Sequence, residues 1–392
     1  MKYKKIECEV LVVGGGVAGI AASIKAAREG ASTVLIEKNN FPGGTGITGL
    51  HRFICGLYAN TEDMPDKILN EGIASEICSM LQELAPGKIP LRMGKVYVLP
   101  FATSNLMSVL RSLSEKEKQL DIYYNTEAVS AKTENNTIVS VTIQKLNKKF
   151  NIIPRVVVDC SGDGVIIKLS GARYRTTPPD QHQLAGYTFR VNGLKHVDDI
   201  LAVKVPYYLA RAVEQKKMPF YLKYTTFTAG DTEDEGYCKL NMPSAGIMER
   251  EKQAKKDALS VHTYLAKVLP VFNESYIVEM SPEVLDREGP RLYGKYTLTA
   301  DDVITARKFP DGIVKNAWPI ELWDQQKGVR YQYLKPGENY EIPLRCLVTK
   351  NIKNLFCAGR CISVTHEALG STRVIGTCIS LGEKAGREAA HR

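Results

Sequence analysis

Val10-Leu11-Val12-Val13-Gly14-Gly15-Gly16-Val17-Ala18-Gly19-Ile20 decides the fold of this chain. An apolar run enters a G-x-G-x-x-G motif made by Gly14, Gly16 and Gly19. A helical stretch follows, Ile20 to Glu29, with Ala21, Ala22, Ala26 and Ala27 as a small-residue packing face. A short run that is apolar at every position suits a central parallel strand, buried on both sides. Gly14 permits the tight turn, Gly16 lets the backbone approach a pyrophosphate, and Gly19 lets helix and strand pack closely. The helix start, with Val17 and Ala18, offers free amides and a positive dipole to phosphate. Gly30 ends the helix as a C′ glycine does. Val34 to Ile36 is a second strand, and Glu37 closes it at the spacing where a carboxylate grips a ribose hydroxyl pair. Strand, turn, helix, strand and acid together predict a dinucleotide-binding β-α-β unit.

Outward from that unit, three features favour FAD over a nicotinamide cofactor. The loop Lys38-Asn39-Asn40-Phe41-Pro42-Gly43-Gly44-Thr45 stands where a nicotinamide enzyme usually continues into a helix. There is no second G-x-G-x-x-G for a separate nicotinamide domain. The C-terminal part supplies another short strand, Leu355 to Ala358, then Gly359 and an Ala/Gly-rich helix, Gly376 to Ala390, able to complete a flavin site.

The stretch between reads as a helix at Leu106 to Lys116, then short strands at Asp121–Tyr124, Ala128–Ala131, Thr137–Gln144 and Phe150–Ile153. A buried strand at Val156–Asp159 ends in Cys160-Ser161-Gly162-Asp163-Gly164. Pro178-Pro179 marks a boundary. Beyond it, to about Tyr340, strand-like and helical pieces alternate without a Rossmann pattern, with helices expected at Val197–Gln215 and Arg250–Val268. The expected architecture is α/β: a Rossmann-like FAD-binding domain of glutathione reductase type, with a central parallel sheet and a β-meander. It is built from residues 1–177 and 341–392, with an inserted α+β substrate or cap domain at 178–340.

The composition of the 392 residues is globular, 44% hydrophobic and 24% charged. No apolar run reaches the roughly 18 residues of a membrane helix. The basic start before Val10 has no small-residue cleavage site, so it reads as a buried first strand in a cytoplasmic protein. Nine scattered cysteines without a C-x-x-C pair argue against zinc ribbons and thioredoxin chemistry and for reduced, buried thiols. The net charge of +9 is dispersed and carries no nucleic-acid motif, so nucleic acid is not expected as a partner. No metal site is expected, and self-association into a homo-oligomer stays open.

The C-terminal run Leu355-Phe356-Cys357-Ala358-Gly359-Arg360-Cys361-Ile362-Ser363, continued by His366-Glu367-Ala368-Leu369-Gly370-Ser371-Thr372-Arg373-Val374-Ile375-Gly376, carries a family resemblance. With Asp159 to Gly164 and Gly294 to Asp302, it resembles the FAD-dependent oxidoreductases related to the succinate dehydrogenase and fumarate reductase flavoprotein group. The resemblance implies that Gly14, Gly16 and Gly19 hold the pyrophosphate, and that Glu37 and Lys38 flank the adenosine ribose. It implies that Gly43, Gly44 and Thr45 line the phosphate and ribityl region and that Val129 meets adenine through its backbone. Asp163 would lie in a loop against the cofactor, and Gly359 would admit the ribityl chain. Gly376 and Thr377 would present amides to the pyrimidine edge of the flavin. Many flavoproteins carry an acid after the last glycine; here Arg360 stands there, so the ribityl contact must differ.

A flavin performs the redox step, and the protein supplies orientation, charge and proton transfer. The resemblance makes Arg373 the first candidate to meet substrate, since a guanidinium binds carboxylates bidentately and stays charged. His366, in the same loop, is a candidate proton shuttle. Arg291 stands where the family often carries two adjacent arginines; here Leu292 follows it. His51 follows the glycine loop, as a site lining residue or an attachment point for flavin. The leading expectation is hydride transfer between a small-molecule substrate, which could be anionic, and FAD, with an external electron acceptor or donor completing the cycle. The alternative is a non-redox FAD- or NAD-binding biosynthetic protein of thiazole synthase type, or a ligand-binding module, because fold does not fix function.

Overall fold

A computed structural model describes residues 4–392. The chain opens with β1 (Lys4–Val13), α1 (Val17–Arg28) and β2 (Thr33–Ile36). A helix α2 (Thr103–Glu115) leads into β3 (Leu120–Tyr123), β4 (Thr126–Glu134), β5 (Thr137–Lys145) and β6 (Lys148–Asp159). These strands form most of a seven-stranded sheet in the order β3-β2-β1-β6-β5-β4. The β1, β2, β3 and β6 pairings are parallel, and β4-β5-β6 is an antiparallel meander. Successive residues in a strand face opposite sides. Val10, Val12 and Leu35 accordingly join one core, and Leu11, Val13, Val34 and Ile36 join another. The two strands expected at Phe150–Ile153 and Val156–Asp159 are one continuous strand, β6, because Pro154 holds its register opposite Cys8 without a break.

The middle of the chain builds a second sheet from β7 (Ala185–Asn192), β8 (Thr226–Ala229), β9 (Gly236–Met242) and β10 (Tyr276–Met280), ordered β8-β9-β7-β10. Its outer face carries Tyr187, Phe189, Cys238 and Leu240. Against it pack α3 (Leu201–Glu214), through Leu201, Val205 and Leu209, and α4 (Arg250–Val268), through Ala254, Ala258, Val261 and Leu265. Helical spacing of three or four residues gives each helix one apolar stripe. The first of these helices starts later than the expected Val197, since the preceding His196 adopts a φ of 59° and turns the chain. A hairpin of β11 (Ile320–Asp324) and β12 (Gly328–Gln332) follows. Leu298, Val303, Val314, Ile320 and Leu334, expected within the insert, pack into the first core.

The chain then returns through β13 (Leu355–Cys357), which joins the large sheet parallel to β6, α5 (His366–Thr372) and α6 (Ile375–Ala390). Helices α1 and α6 run side by side in the same direction. A Cβ on Gly382 would fall 2.0 Å from the Ala18 carbonyl oxygen, and one on Gly386 2.1 Å from that of Ala22. Only small residues permit that approach. Since Ala18 lies beside Gly382, α6 extends beyond the start of α1 by about 10 Å at about 1.5 Å per residue. Two helix starts are thus staggered along one line. No helix among the described residues is long and apolar enough to cross a membrane.

Candidate active site

The first half of the site is a glycine cradle. Gly14, with φ of 99°, has no room for a Cβ, which would meet the Cys160 carbonyl oxygen at 2.7 Å. Gly19 is tighter: its Cβ would lie 1.8 Å from the Gly14 oxygen. Gly16 is the opposite case, with nothing within 4 Å of the place a Cβ would take. It caps α1, and the first amide to find a helical carbonyl is that of Ile20, bonded to Gly16 at 2.9 Å. Val17, Ala18 and Gly19 therefore keep the free amides of a helix start. The first turn carries no acidic residue that would compete for them.

The second glycine loop folds back on this cradle. Gly43 donates to the Gly15 oxygen at 2.8 Å, and a Cβ on Gly44 would stand 3.1 Å from Gly16 Cα. Thr45 begins the short helical turn that follows. Glu37 is buried; its carboxylate accepts from the Gly15 amide at 2.5 Å and the Asn39 amide at 2.8 Å, and burial pushes its pKa up. Lys38 is half-exposed and reaches Glu283 at 3.5 Å. Val129 sits in a bulge of β4, where the register slips between Ala128 and Ser130 and leaves its backbone out of the ladder. Gly359, with φ of 79°, stands with its Cβ position 3.3 Å from Ala18 Cβ, between the two helix starts.

At the start of α6 one expectation is corrected. The Gly376 amide donates to the Cys55 oxygen at 2.9 Å, because the chain at Cys55–Gly56 lies across this helix end. Thr377 is buried, and its hydroxyl has no partner among the described residues, as is also true of Thr372. Asp163 and Arg360 answer each other: the guanidinium donates to Asp163 Oδ1 at 2.5 Å and to the Gly162 oxygen at 3.0 Å. It also donates to the backbone oxygens of Asp286 and Glu288. Arg360 therefore ties the loop after β6 to the segment leading to Arg291, with each of its three nitrogens engaged.

The candidate catalytic residues divide. His366 and Arg291 meet on one carboxylate, Glu288. It accepts from His366 Nδ1 at 3.0 Å, Arg291 Nη1 at 3.2 Å, the Thr177 hydroxyl at 2.6 Å and the Gln183 amide at 2.8 Å. Burial would raise the Glu288 pKa, but the bonds from His366 and Thr177 outweigh it and hold it at about 2. Arg291 is itself almost fully buried on this network. These residues clamp the segment before β7 to α5 and the 288–291 turn.

Arg373 instead lies where Gln183, the β11 strand and the polar face of the second sheet meet. One of its nitrogens donates to Gln183 Oε1 at 3.3 Å and the Glu321 backbone oxygen at 3.2 Å, while its Nε has no partner. Around it stand groups that the sequence did not single out. On β9, Lys239 lies opposite Thr188 of β7, on the sheet face turned away from the core of α3 and α4. Arg287 donates to Asn241 Oδ1 at 2.7 Å and stacks over Trp323 at 4.4 Å from the ring centre. Glu321 of β11 accepts from both tryptophans of the chain, Trp318 at 3.2 Å and Trp323 at 2.6 Å. Leu50, at φ of 48°, turns the chain so that His51 follows into the same region.

Charge in this cleft is mutually perturbing. Burial first, then Arg287 and Arg373, pushes Lys239 down to about 7. Burial and Arg373 bring Arg287 to about 9. Burial and the same three cations push His51 down to about 3, so its imidazole is neutral. Burial raises Cys55 to about 12 and silences it as a nucleophile. Lys239, His51 and Arg373 all keep partial solvent access while lying deep in the chain, as the wall of an internal cleft does.

The sequence profile of the family described as FAD dependent oxidoreductase matches residues 9–392. The chain belongs to that family. The family's cofactor is FAD, and the open cradle at Gly16, the unopposed start of α1, the placement of Glu37 and the unpartnered Thr377 hydroxyl fit it. A curated relative, the 4-oxocyclohex-2-ene-1-carboxylate 5-dehydrogenase of Sinomonas cyclohexanicum, is 55% identical over 42 residues, 11% of this chain and 7% of that protein. The anhydrotetracycline hydroxylase of Streptomyces rimosus superposes with a TM-score of 0.53 at 12% identity, over 97% of this chain and 62% of the hydroxylase. The p-nitrophenol 4-monooxygenase of Pseudomonas putida gives 0.50 at 11% identity, over 99% and 79%. The Diels-Alderase of pyrroindomycin biosynthesis gives 0.50 at 11% identity, over 97% and 66%. These structural likenesses establish the fold; that a Diels-Alderase shares it shows how little the fold alone says about the reaction.

Proposed function

We propose that this protein transfers a hydride between an anionic small molecule and FAD, with Arg373 and Arg287 holding the substrate's acidic group. The observation that carries this reading is the cleft itself. Lys239, Arg287 and Arg373 converge there, and the carboxylate that faces all three, Glu321, already accepts from two indole N–H groups. A planar guanidinium with an unpartnered Nε is a ready carboxylate donor.

In this reading Gly14, Gly16 and Gly19, with the Val17 and Ala18 amides, hold the pyrophosphate of FAD. Glu37 takes the ribose, with Lys38 beside it, and the Val129 backbone takes adenine. Gly43, Gly44 and Thr45 cover the phosphates and the ribityl chain, and Gly359 admits that chain between the two helices. Thr377 faces the flavin ring from the start of α6, with Gly376 behind it as backbone support. Asp163 acts through Arg360. When bound, FAD supplies the two-electron chemistry. The chain's own residues orient the substrate and close the cleft to water with β11 and the second sheet. His366 and Arg291 act as positioning residues through Glu288, not as groups that touch substrate.

We place the protein near the succinate dehydrogenase and fumarate reductase flavoproteins on the strength of Arg373 three residues before Gly376. The division into residues 1–177 with 341–392, and 178–340, serves as a working map of cofactor and substrate parts. The other half-reaction uses oxygen, a quinone or a carrier protein in the cytoplasm, consistent with the single G-x-G-x-x-G. The test is anaerobic: the purified yellow protein is mixed with a panel of small carboxylates and with their neutral amides. Bleaching of the flavin by carboxylates and not by amides supports the reading. Bleaching only by NADH or NADPH, or a protein that takes no flavin, overturns it.

A further inference from the structure

Lys239 is chemically odd where it stands. It occupies the polar face of β9, opposite Thr188 of β7 and Thr226 of β8. Gly186, next but one along β7, leaves space for its stem: a Cβ there would lie 3.2 Å from Lys239 Cε. No carboxylate pairs with its ammonium among the described residues, although nearly every other interior cation has one or a backbone acceptor. Arg291 has Glu288, Arg52 has Asp231, and Arg287 has Asn241 and the Leu184 oxygen. The groups that face it are Arg287, Arg373 from the end of α5, Glu321 from β11, Cys55 and, through the same cluster, His51. On its own face of the second sheet, Arg190 and Tyr237 are taken up by Glu235, and Arg190 also by Glu279. Glu321 already accepts from Trp318 and Trp323, His51 is a neutral imidazole, and Cys55 keeps its proton. A buried lysine with two arginines beside it and no carboxylate in direct contact adds little to the stability of the fold.

We propose that Lys239 is the proton-transferring residue of this cleft, acting on a substrate whose carboxylate rests on Arg287 and Arg373. The assignment rests on the redox reading above. In the oxidative direction the substrate's C–H bond breaks with its electron pair, and the hydride goes to oxidised flavin. The neighbouring O–H or C–H bond breaks in the same conversion, and its proton goes to the neutral Lys239 amine, which becomes an ammonium; a double bond forms between the two substrate atoms. In the reverse direction the ammonium returns the proton. The two arginines serve this step twice. They anchor the anion, and their charge keeps the Lys239 amine free of its proton near neutral pH, where a general base is most effective.

The test has two independent readouts on the FAD-loaded protein. First, lysine side chains are labelled with carbon-13 at Cε and titrated by NMR, with Lys239→Arg to assign the signal. The expected result is one lysine signal, absent in the variant, whose midpoint falls near pH 7, well below the roughly 10.4 of a lysine in a model peptide. A Lys239 signal that titrates with the rest overturns the proposal. Second, flavin reduction by a carboxylate from the panel is followed in a stopped-flow instrument in Lys239→Gln and Lys239→Arg. Removing a general base costs about 10²- to 10⁴-fold. The reduction rate should fall by at least about 100-fold in both variants, and the rise of rate with pH through about 7 should vanish, while substrate affinity shifts far less. A Lys239→Gln protein reduced at close to the parent rate overturns this assignment alone. If no carboxylate reduces the parent flavin, the redox reading falls and the assignment falls with it.

Discussion

Gly16 and Gly19 stand three residues apart in one motif, yet the structure gives them opposite sensitivities, and the pair Gly16→Ala and Gly19→Ala tests the cradle sharply. Gly16 has φ of −62° and ψ of 176°, which any residue adopts, and a methyl group there meets nothing within 4 Å. In the apoprotein the substitution should be neutral or stabilising, by about 0.4–1 kcal/mol through the stiffer unfolded chain. The same methyl group fills the space through which the backbone approaches pyrophosphate. Loss of one charge-assisted hydrogen bond costs about 1.5–3 kcal/mol, or about 10- to 150-fold in FAD dissociation constant. Gly19→Ala puts its methyl 1.8 Å from the Gly14 oxygen, backbone against backbone. Helix and strand must part, and overpacking of that kind costs about 1–3 kcal/mol or more. Urea unfolding of both apoproteins and FAD binding by flavin fluorescence quenching read the two effects apart. The reasoning fails if Gly16→Ala loses as much apoprotein stability as Gly19→Ala, or if it binds FAD as the parent does.

Arg373→Ala should leave the flavin bound, with its absorbance intact, while flavin reduction by the substrate found in the carboxylate panel falls by about 100-fold or more, on the order of 3 kcal/mol; parent-like reduction removes Arg373 from the site. Glu288→Gln strands the buried Arg291 and should cost about 3–5 kcal/mol in urea unfolding, whereas an exposed pair such as Lys132 with Glu134 should be almost silent. Glu288 is held at about 2 against an ordinary 4.5, so its contribution is fully present above pH 4.5 and is lost as pH falls toward 2, about 3 kcal/mol in all. A stability difference between the parent and Glu288→Gln that stays flat from pH 5 to pH 3 would contradict that window. Lys239 binds its proton less well folded than unfolded, so stability should rise with pH from about 7 to about 10. Lys239→Met should therefore be more stable than the parent at pH 6, on the order of 2 kcal/mol after allowing for partial solvent access, with the gain shrinking by pH 10 in thermal melts.

The large sheet was legible because its signals are local. Val10 to Val13, the three glycines, the alanine face and Glu37 lie within one β-α-β unit, and each imposes a constraint that one strand or turn must satisfy. The small-residue faces of α1 and α6 were visible, though not their mutual contact through Ala18, Ala22, Gly382 and Gly386. The cofactor cradle was legible for the same reason. The cleft was not. Its charges come from Lys239 on β9, Arg287 on a turn, Glu321 on β11 and Arg373 after α5, far apart in sequence. A lysine alternating with Cys238 and Leu240 on a strand looks like any solvated residue. One signal was available: Trp318, Glu321 and Trp323 place both tryptophans of the chain within two or three residues of one acid. His366 and Arg291 stood out in sequence as catalytic candidates; what the sequence did not show is that both bond one buried carboxylate, Glu288, three residues before Arg291.

The balance of charge in the cleft argues for its ligand more strongly than any single residue. Burying a cation without a partner is costly, and proteins relieve it by pairing, by shedding the proton, or by reserving the place for a bound anion. Arg291 illustrates the first solution on Glu288. Lys239, pushed to about 7, is poised for the second. Arg373 has neither: among the described residues its acceptors are an amide oxygen and a backbone carbonyl, one nitrogen is bare, and a guanidinium holds its proton at neutral pH. A fold that needed only packing here would be steadier with apolar side chains of similar size. The stability forgone becomes affinity once an acidic group enters, because the desolvation of Arg373 and Arg287 has already been met in the folded chain. The same logic separates their roles. Two arginines that stay charged through neutral pH fix the anion there, and one lysine that sheds its proton is left to move one.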